Sequence, residues 1–243
     1  METSRIEQME ELLEYISRYR PEFVREIRGA TEQEIAQLEE LVGDSLPPQY
    51  QSFLETMGGD PATFSFSNDD AMTIADIIYY YQEKQRGETS VPPDCVVIAW
   101  GGTEYEEQQL SLEEGPSDTS RVLVSSDEQI LEPFAASLEK LLFRRAFIQY
   151  PLLTSPSRGV YVGQGIRAQV EMAAAAARAN GFREHWFSDE LAFCGEREDG
   201  ALILCDQLEG RSLTLTLAAR RRATITENAR PFEKELGVKF NHW

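Results

Sequence analysis

The sequence is poor in the residues on which most catalytic and metal sites depend. It has only two histidines, His185 and His242, and three cysteines without a C-x-x-C pair. These numbers argue against a His-rich metal site and against a disulfide framework, and they favour a reducing compartment. No apolar run reaches the length of a membrane span, and the acidic N-terminal segment is unlike a signal peptide. We therefore expect a cytoplasmic protein that uses no metal and no other cofactor.

Basic residues are scarce in the first part of the chain. Residues 1–150 contain 30 Asp and Glu but 11 Lys and Arg, a net charge of −19, whereas residues 151–243 contain 12 of each sign. This change in charge density favours a domain boundary near Tyr150. An acidic domain repels nucleic acid and anionic membranes, and it attracts a basic partner by electrostatic steering. The alternative is that the acidity only maintains solubility.

The chain also lacks the common catalytic motifs G-x-S-x-G, Walker A and H-E-x-x-H. Residues 163–168 fit the dinucleotide-binding pattern G-x-G-x-x-A, and Glu184 lies where such a site places its ribose-binding acid. The residues that follow read as antiparallel hairpins instead of the further βα crossovers that such a site requires. We therefore interpret the glycines as a loop that leads into an alanine-rich helix at 166–180.

Helical and strand patterns alternate irregularly, with several hairpin-length connections, which predicts an α+β fold. We predict an acidic domain at 1–150, a linker at 151–159 with the sequence PLLTSPSRG, and a small α-β-β-β-α domain at 160–243. In the first domain, Glu104–Leu112 reads as a strand, and residues 126–145 contain a helix. In the second, a two-residue turn at Asp199-Gly200 would place Cys194 opposite Cys205, although another loop length remains open.

The segment from Gly29 to Asp60 has the most distinctive order of signals. Thr31 and Glu34 form a capping box, and an apolar helical stripe follows. The remaining signals are Gly43, Leu46-Pro47-Pro48, the apolar positions Tyr50, Phe53, Leu54 and Met57, and Gly58-Gly59.

This order resembles the opening of the SUKH superfamily, whose members include bacterial immunity proteins that neutralise secreted toxins and a fungal cell-wall regulator. The resemblance extends to about Tyr150. It implies a mixed sheet with packed helices and a non-enzymatic immunity or adaptor role.

Together, the resemblance and the charge suggest that the first domain docks an acidic face on a basic toxin domain, of which a nuclease is one candidate. In the Tyr79-Tyr80-Tyr81 run, Tyr81 fits the core stripe and at least one of the other two should be exposed. The candidate partner-binding residues are Asp69, Asp70, Tyr80, Glu104, Glu106, Glu107, Glu113 and Glu114. The other functions considered are a regulatory scaffold or adaptor and a carboxylate-dependent hydrolase, and a merely solvated acidic face is a further possibility.

Overall fold

The computed structural model describes residues 3–66, 71–103, 106–113, 120–126, 129–164, 168–208 and 212–242. The chain forms two compact units, residues 1–145 and 146–243. The boundary falls within a helix, Leu138–Phe147, five residues before the predicted position. Because residues 146–150 carry no charge, the net charge of −19 lies wholly in the first unit.

The first unit begins with a run of helices. They are α1 (Thr3–Ser17), α2 (Phe23–Glu26), α3 (Glu32–Val42), α4 (Pro48–Met57) and α5 (Ile74–Arg86), and α6 (Leu138–Phe147) closes the unit. Tyr50, Phe53, Leu54 and Met57, the apolar positions of α4, are all fully buried. They form the hydrophobic core of this helical layer, as the spacing of the apolar residues predicts.

A sheet follows α5 and consists of β1 (Cys95–Thr103), β2 (Glu106–Glu113), β3 (Val122–Ser126) and β4 (Gln129–Ala135), in that order. The α+β class is confirmed. The sheet is antiparallel at every pair that the structure describes, and not mixed as the resemblance implied. The connections explain this difference, since they are too short for the crossover that parallel strands require. The helix predicted within 126–145 begins only at Leu138. The segment before it is β4, an edge strand, where Pro133 is tolerated.

The helical pair α3–α4 is fixed by local signals. Thr31 and Glu34 form the predicted capping box, and Gly43 ends α3 with a positive φ of 91°. Ahead of α3, the backbone of Arg28–Ala30 runs against the end of α4, where the amide of Ala30 donates to the carbonyl of Leu54 at 2.8 Å. A side chain at Gly29 would overlap the carbonyl oxygen of Glu55. The glycine is therefore required by the close approach of two backbones.

The second unit is more elaborate than the predicted α-β-β-β-α arrangement. Its elements are β5 (Ser157–Gln164), α7 (Ala168–Ala179), β6 (Arg183–Glu184), β7 (Ala192–Glu196), β8 (Leu202–Leu208), β9 (Ser212–Ala219), α8 (Arg222–Leu236) and β10 (Lys239–His242). The described strands form one sheet in the order β10-β5-β9-β8-β7-β6. Residues 151–159 are not a free linker, because Pro151 and Leu152 are buried in a π-helical turn and β5 starts at Ser157.

The β7–β8 hairpin differs by one residue from the predicted register. Cys194 pairs with Leu204, and Cys205 pairs with Phe193. The loop contains three residues and not two, since Arg197 bonds to Ala201 and Gly200 takes a φ of +77°. A slip of one residue moves a side chain to the other face of a sheet, so the two thiols do not oppose each other. Both are buried and free, as is Cys95.

Candidate protein-binding surface

Helix α5 presents two tyrosines to the interior of the first unit and one to the solvent. The helix starts at a capping box in which the side chain of Thr73 accepts from the amide of Asp76 and the carboxylate of Asp76 accepts from the amide of Thr73. Successive residues are turned by about 100° on a helix. As a result Tyr79 is 51% exposed, whereas Tyr80 and Tyr81 are buried.

The prediction that Tyr80 is a partner-binding residue is wrong. Its side chain is 6% exposed, and its hydroxyl donates to the carbonyl oxygen of Ser90 at 2.6 Å. Its ring also packs against that of Trp100, with 5.9 Å between ring centroids. The helix turns this position toward the sheet, and the burial of Tyr80 leaves Tyr79 as the exposed member of the tyrosine run.

Trp100, on β1, is half-buried beside Tyr79. The main chain of Trp100 exchanges two hydrogen bonds with that of Ala71, at 2.8 and 3.0 Å. Its indole N–H donates to the carbonyl oxygen of Asp76 at 3.3 Å. The ring of Tyr79 stacks on the indole, with 6.3 Å between centroids and 25° between planes. We call Tyr79 and Trp100 the aromatic pair.

The residue pattern favours Tyr79 or Tyr80 as an interface residue, but it does not predict that Tyr79 and Trp100 form a pair. The sequence does not show which residue of the tyrosine run faces outward, nor that Trp100 lies next to α5. The alternation of side chains along a strand predicts only that Trp100 lies on the same face of β1 as residues of the core.

The acidic candidates fall into three groups. Asp69, Asp70, Glu104 and Glu114 lie outside the described residues. Glu106 and Glu107 begin β2, where their backbones pair with Thr103 and Gly102. Trp100 pairs with Gln109 in the same ladder, so Glu107 is two residues from that position, about 7 Å along the strand. The register therefore places the backbones of these two glutamates near the aromatic pair.

Glu113 lies at the other end of β2, six residues or about 20 Å from Glu107. Two nitrogens of the Arg121 guanidinium donate to its carboxylate oxygens, each at 2.8 Å. These hydrogen bonds lower the pKa of Glu113, against a smaller opposing effect of burial. Arg121 therefore already compensates the negative charge of Glu113 within the first unit. The predicted candidates do not form one cluster, and Glu113 is separated from those near the aromatic pair.

The hydrolase alternative requires two carboxyl groups in one pocket. A small apolar pocket in the first unit is lined by Met9, Leu12, Gln49, Ser52, Glu139, Leu142 and Phe143. Burial, followed by repulsion from Glu11, raises the pKa of Glu139. Glu139 is the single carboxyl among these lining residues, whereas acid–base hydrolysis of the glycosidase type requires two. Within the described ranges, no group of three or more His, Cys, Asp or Glu could hold a metal ion.

The structure also bears on membrane insertion. Among the helices described, none combines the length and the apolar character that a membrane span requires.

Comparison with known proteins identifies one segment. Residues 29–144 match the model of the SMI1 / KNR4 family (SUKH-1). The match begins at the glycine that contacts α4 and ends in α6, so it lies entirely in the first unit. Among curated proteins, no relative of the chain is found.

Proposed function

Because residues 29–144 form a domain of the SUKH superfamily, we propose that the first unit is a non-enzymatic protein-binding module of the immunity type. It neutralises a cognate toxin by docking an acidic face on a basic domain of that toxin, for which a nuclease is one candidate. The observation that carries the proposal is the confinement of the whole net charge of −19 to the unit that contains this domain.

The mechanism is occlusion. An acidic surface raises the rate of encounter with a basic partner, and close contact then blocks the partner's active site. The acidic candidates are Asp69, Asp70, Glu104, Glu106, Glu107 and Glu114. Glu113 contributes less, since Arg121 already neutralises it. Tyr80 is not included among the partner-binding residues because its side chain is buried.

The test uses the full chain with the basic toxins encoded by neighbouring genes. Toxin activity is titrated against the chain. Occlusion predicts that inhibition is complete at a molar ratio of one and that the toxin is recovered intact from the complex. Inhibition by a small fraction of an equivalent, or a chemically altered toxin, would contradict the proposal and favour a hydrolase. Tight binding of a non-toxic protein, without effect on any toxin, would also contradict it and favour a regulatory scaffold or adaptor.

A charge-matched pair of variants examines the role of the face. Replacing Glu106 and Glu107 by Gln removes two charges from the residues that begin β2, whose backbone lies near the aromatic pair. Replacing Glu10 and Glu40 by Gln removes two charges from exposed positions on α1 and α3. The first variant should weaken binding of the toxin more than the second does. Equal effects of the two variants would mean that net charge matters and that this particular face does not.

A further inference from the structure

We propose that the aromatic pair is the anchor of this docking surface and that it receives an arginine side chain of the basic partner. This inference rests on the proposed function and specifies the place and the chemistry of the contact. It concerns Tyr79, one of the two tyrosines that the sequence left open as an interface residue, and Trp100, which stacks on it.

The aromatic pair has the properties of an interface hot spot. Trp100 is held in place by its two main-chain bonds to Ala71 and by its indole N–H on the carbonyl of Asp76. Tyr79 lies against it and is 51% exposed. Aromatic residues dominate binding energy at interfaces, and a side chain that is already ordered loses little entropy on binding. The pair therefore presents a prepared aromatic surface.

Charge complementarity selects the occupant. A second copy of this chain would bring another unit with a net charge of −19, and like charges disfavour that contact. A basic partner is attracted instead. Of the two basic side chains, arginine suits the site better, because its planar guanidinium stacks on aromatic faces and is more weakly hydrated than the ammonium group of lysine.

The basic residues on the same helix are already engaged. Arg86 forms an ion pair with Glu83, one turn beyond Tyr79. Lys84 lies over the ring of Tyr81, with 5.3 Å from its ammonium nitrogen to the centroid. Neither contact involves the aromatic pair, whereas the register of β2 places the backbones of Glu106 and Glu107 close to it.

Two synthetic peptides of equal charge test the inference. One consists of six Gly-Arg repeats and the other of six Gly-Lys repeats. The protein is the full chain with Trp186→Phe and Trp243→Phe, so that Trp100 is the remaining tryptophan. Its fluorescence is titrated with each peptide at low ionic strength. We expect the arginine peptide to change the emission of Trp100 and to bind about three- to fivefold more tightly than the lysine peptide.

Two tyrosine variants complete the test. Tyr79→Ser should abolish the preference for arginine. Tyr19→Ser removes the same atoms from another exposed tyrosine of the first unit, which is 45% exposed, and should retain the preference. If both peptides bind equally and Tyr79→Ser changes nothing, the anchor is refuted while the acidic docking face stands. If neither peptide binds even at low ionic strength, the proposed function loses its electrostatic basis as well.

Discussion

Replacing Gly29 by alanine should destabilise the first unit more than its small size suggests. The added methyl group would overlap the carbonyl oxygen of Glu55 in α4. Both colliding groups belong to the backbone, so no side-chain rotation relieves the contact. The segment Arg28–Ala30 has to move away from α4, and several backbone hydrogen bonds to residues 54–60 hold it in place, two of which bear most directly on the shift. Ala30 donates to Leu54 at 2.8 Å, and Gly59 donates to Arg28 at 2.9 Å.

The magnitude follows from these contacts. Overpacking costs about 1–3 kcal/mol, and each weakened hydrogen bond adds about 0.5–1.5 kcal/mol. The lower entropy of the unfolded alanine variant returns about 0.4–1 kcal/mol. At the centres of these ranges, with two hydrogen bonds weakened, the expected net loss in the free energy of unfolding is about 3 kcal/mol.

Gly43→Ala is the matched control. Gly43 has a φ of +91°, but nothing lies near the position of an added methyl group. This variant should therefore lose about 1–2 kcal/mol, the cost of the left-handed conformation alone.

The assay is urea unfolding of the full chain with Trp186→Phe and Trp243→Phe, followed by the fluorescence of Trp100. Trp100 lies in the first unit and the other two tryptophans lie in the second, so the signal reports on the first unit alone. With a slope of about 2 kcal/mol per molar urea, Gly29→Ala should lower the midpoint by about 1–2 M. Gly43→Ala should lower it by less than about 1 M. If Gly43→Ala were the more damaging of the two, the account of the close approach at Gly29 would be refuted.

Three further predictions concern titration and reactivity. Burial lowers the pKa of His185 below its ordinary value of 6.5, with Arg183 adding to this effect and Glu196 opposing it. The second unit should therefore lose stability as the pH falls below 6.5. His185→Phe should flatten that loss in urea unfolding of a chain with Trp100→Phe, in which the remaining tryptophans belong to the second unit. Arg121→Gln should lower the free energy of unfolding by less than about 1 kcal/mol at neutral pH, since about half of the Arg121 side chain is exposed. This loss should disappear as the pH falls below 4.5 and through the lowered pKa of Glu113. A loss that persists in acid would refute the ion-pair explanation. The three buried thiols should react with a thiol reagent only after unfolding, and rapid reaction of the native chain would contradict their burial.

The sequence was most informative where the determinants are local. The capping box of α3, the proline corner before α4 and the left-handed glycine after α3 each act within a few residues, and all of them could be read from the order of residue types. The same local pattern lies within residues 29–144, the segment that matches the SUKH-1 family model.

The determinants that could not be read are non-local. One extra residue in the β7–β8 loop shifted the register and separated Cys194 from Cys205. The ion pair of Glu113 depends on the pairing of its strand with the segment that contains Arg121. The burial of Tyr80 depends on which side of α5 the sheet covers. These are outcomes of tertiary packing that a single sequence does not specify.

The central claim is that a negatively charged unit captures a basic protein by surface contact. The most direct measurement is the association rate constant of the full chain with its cognate toxin as a function of ionic strength. The account predicts that this rate constant falls at least about tenfold between low and high salt, while the dissociation rate constant changes much less. An association rate constant that does not depend on ionic strength would contradict it.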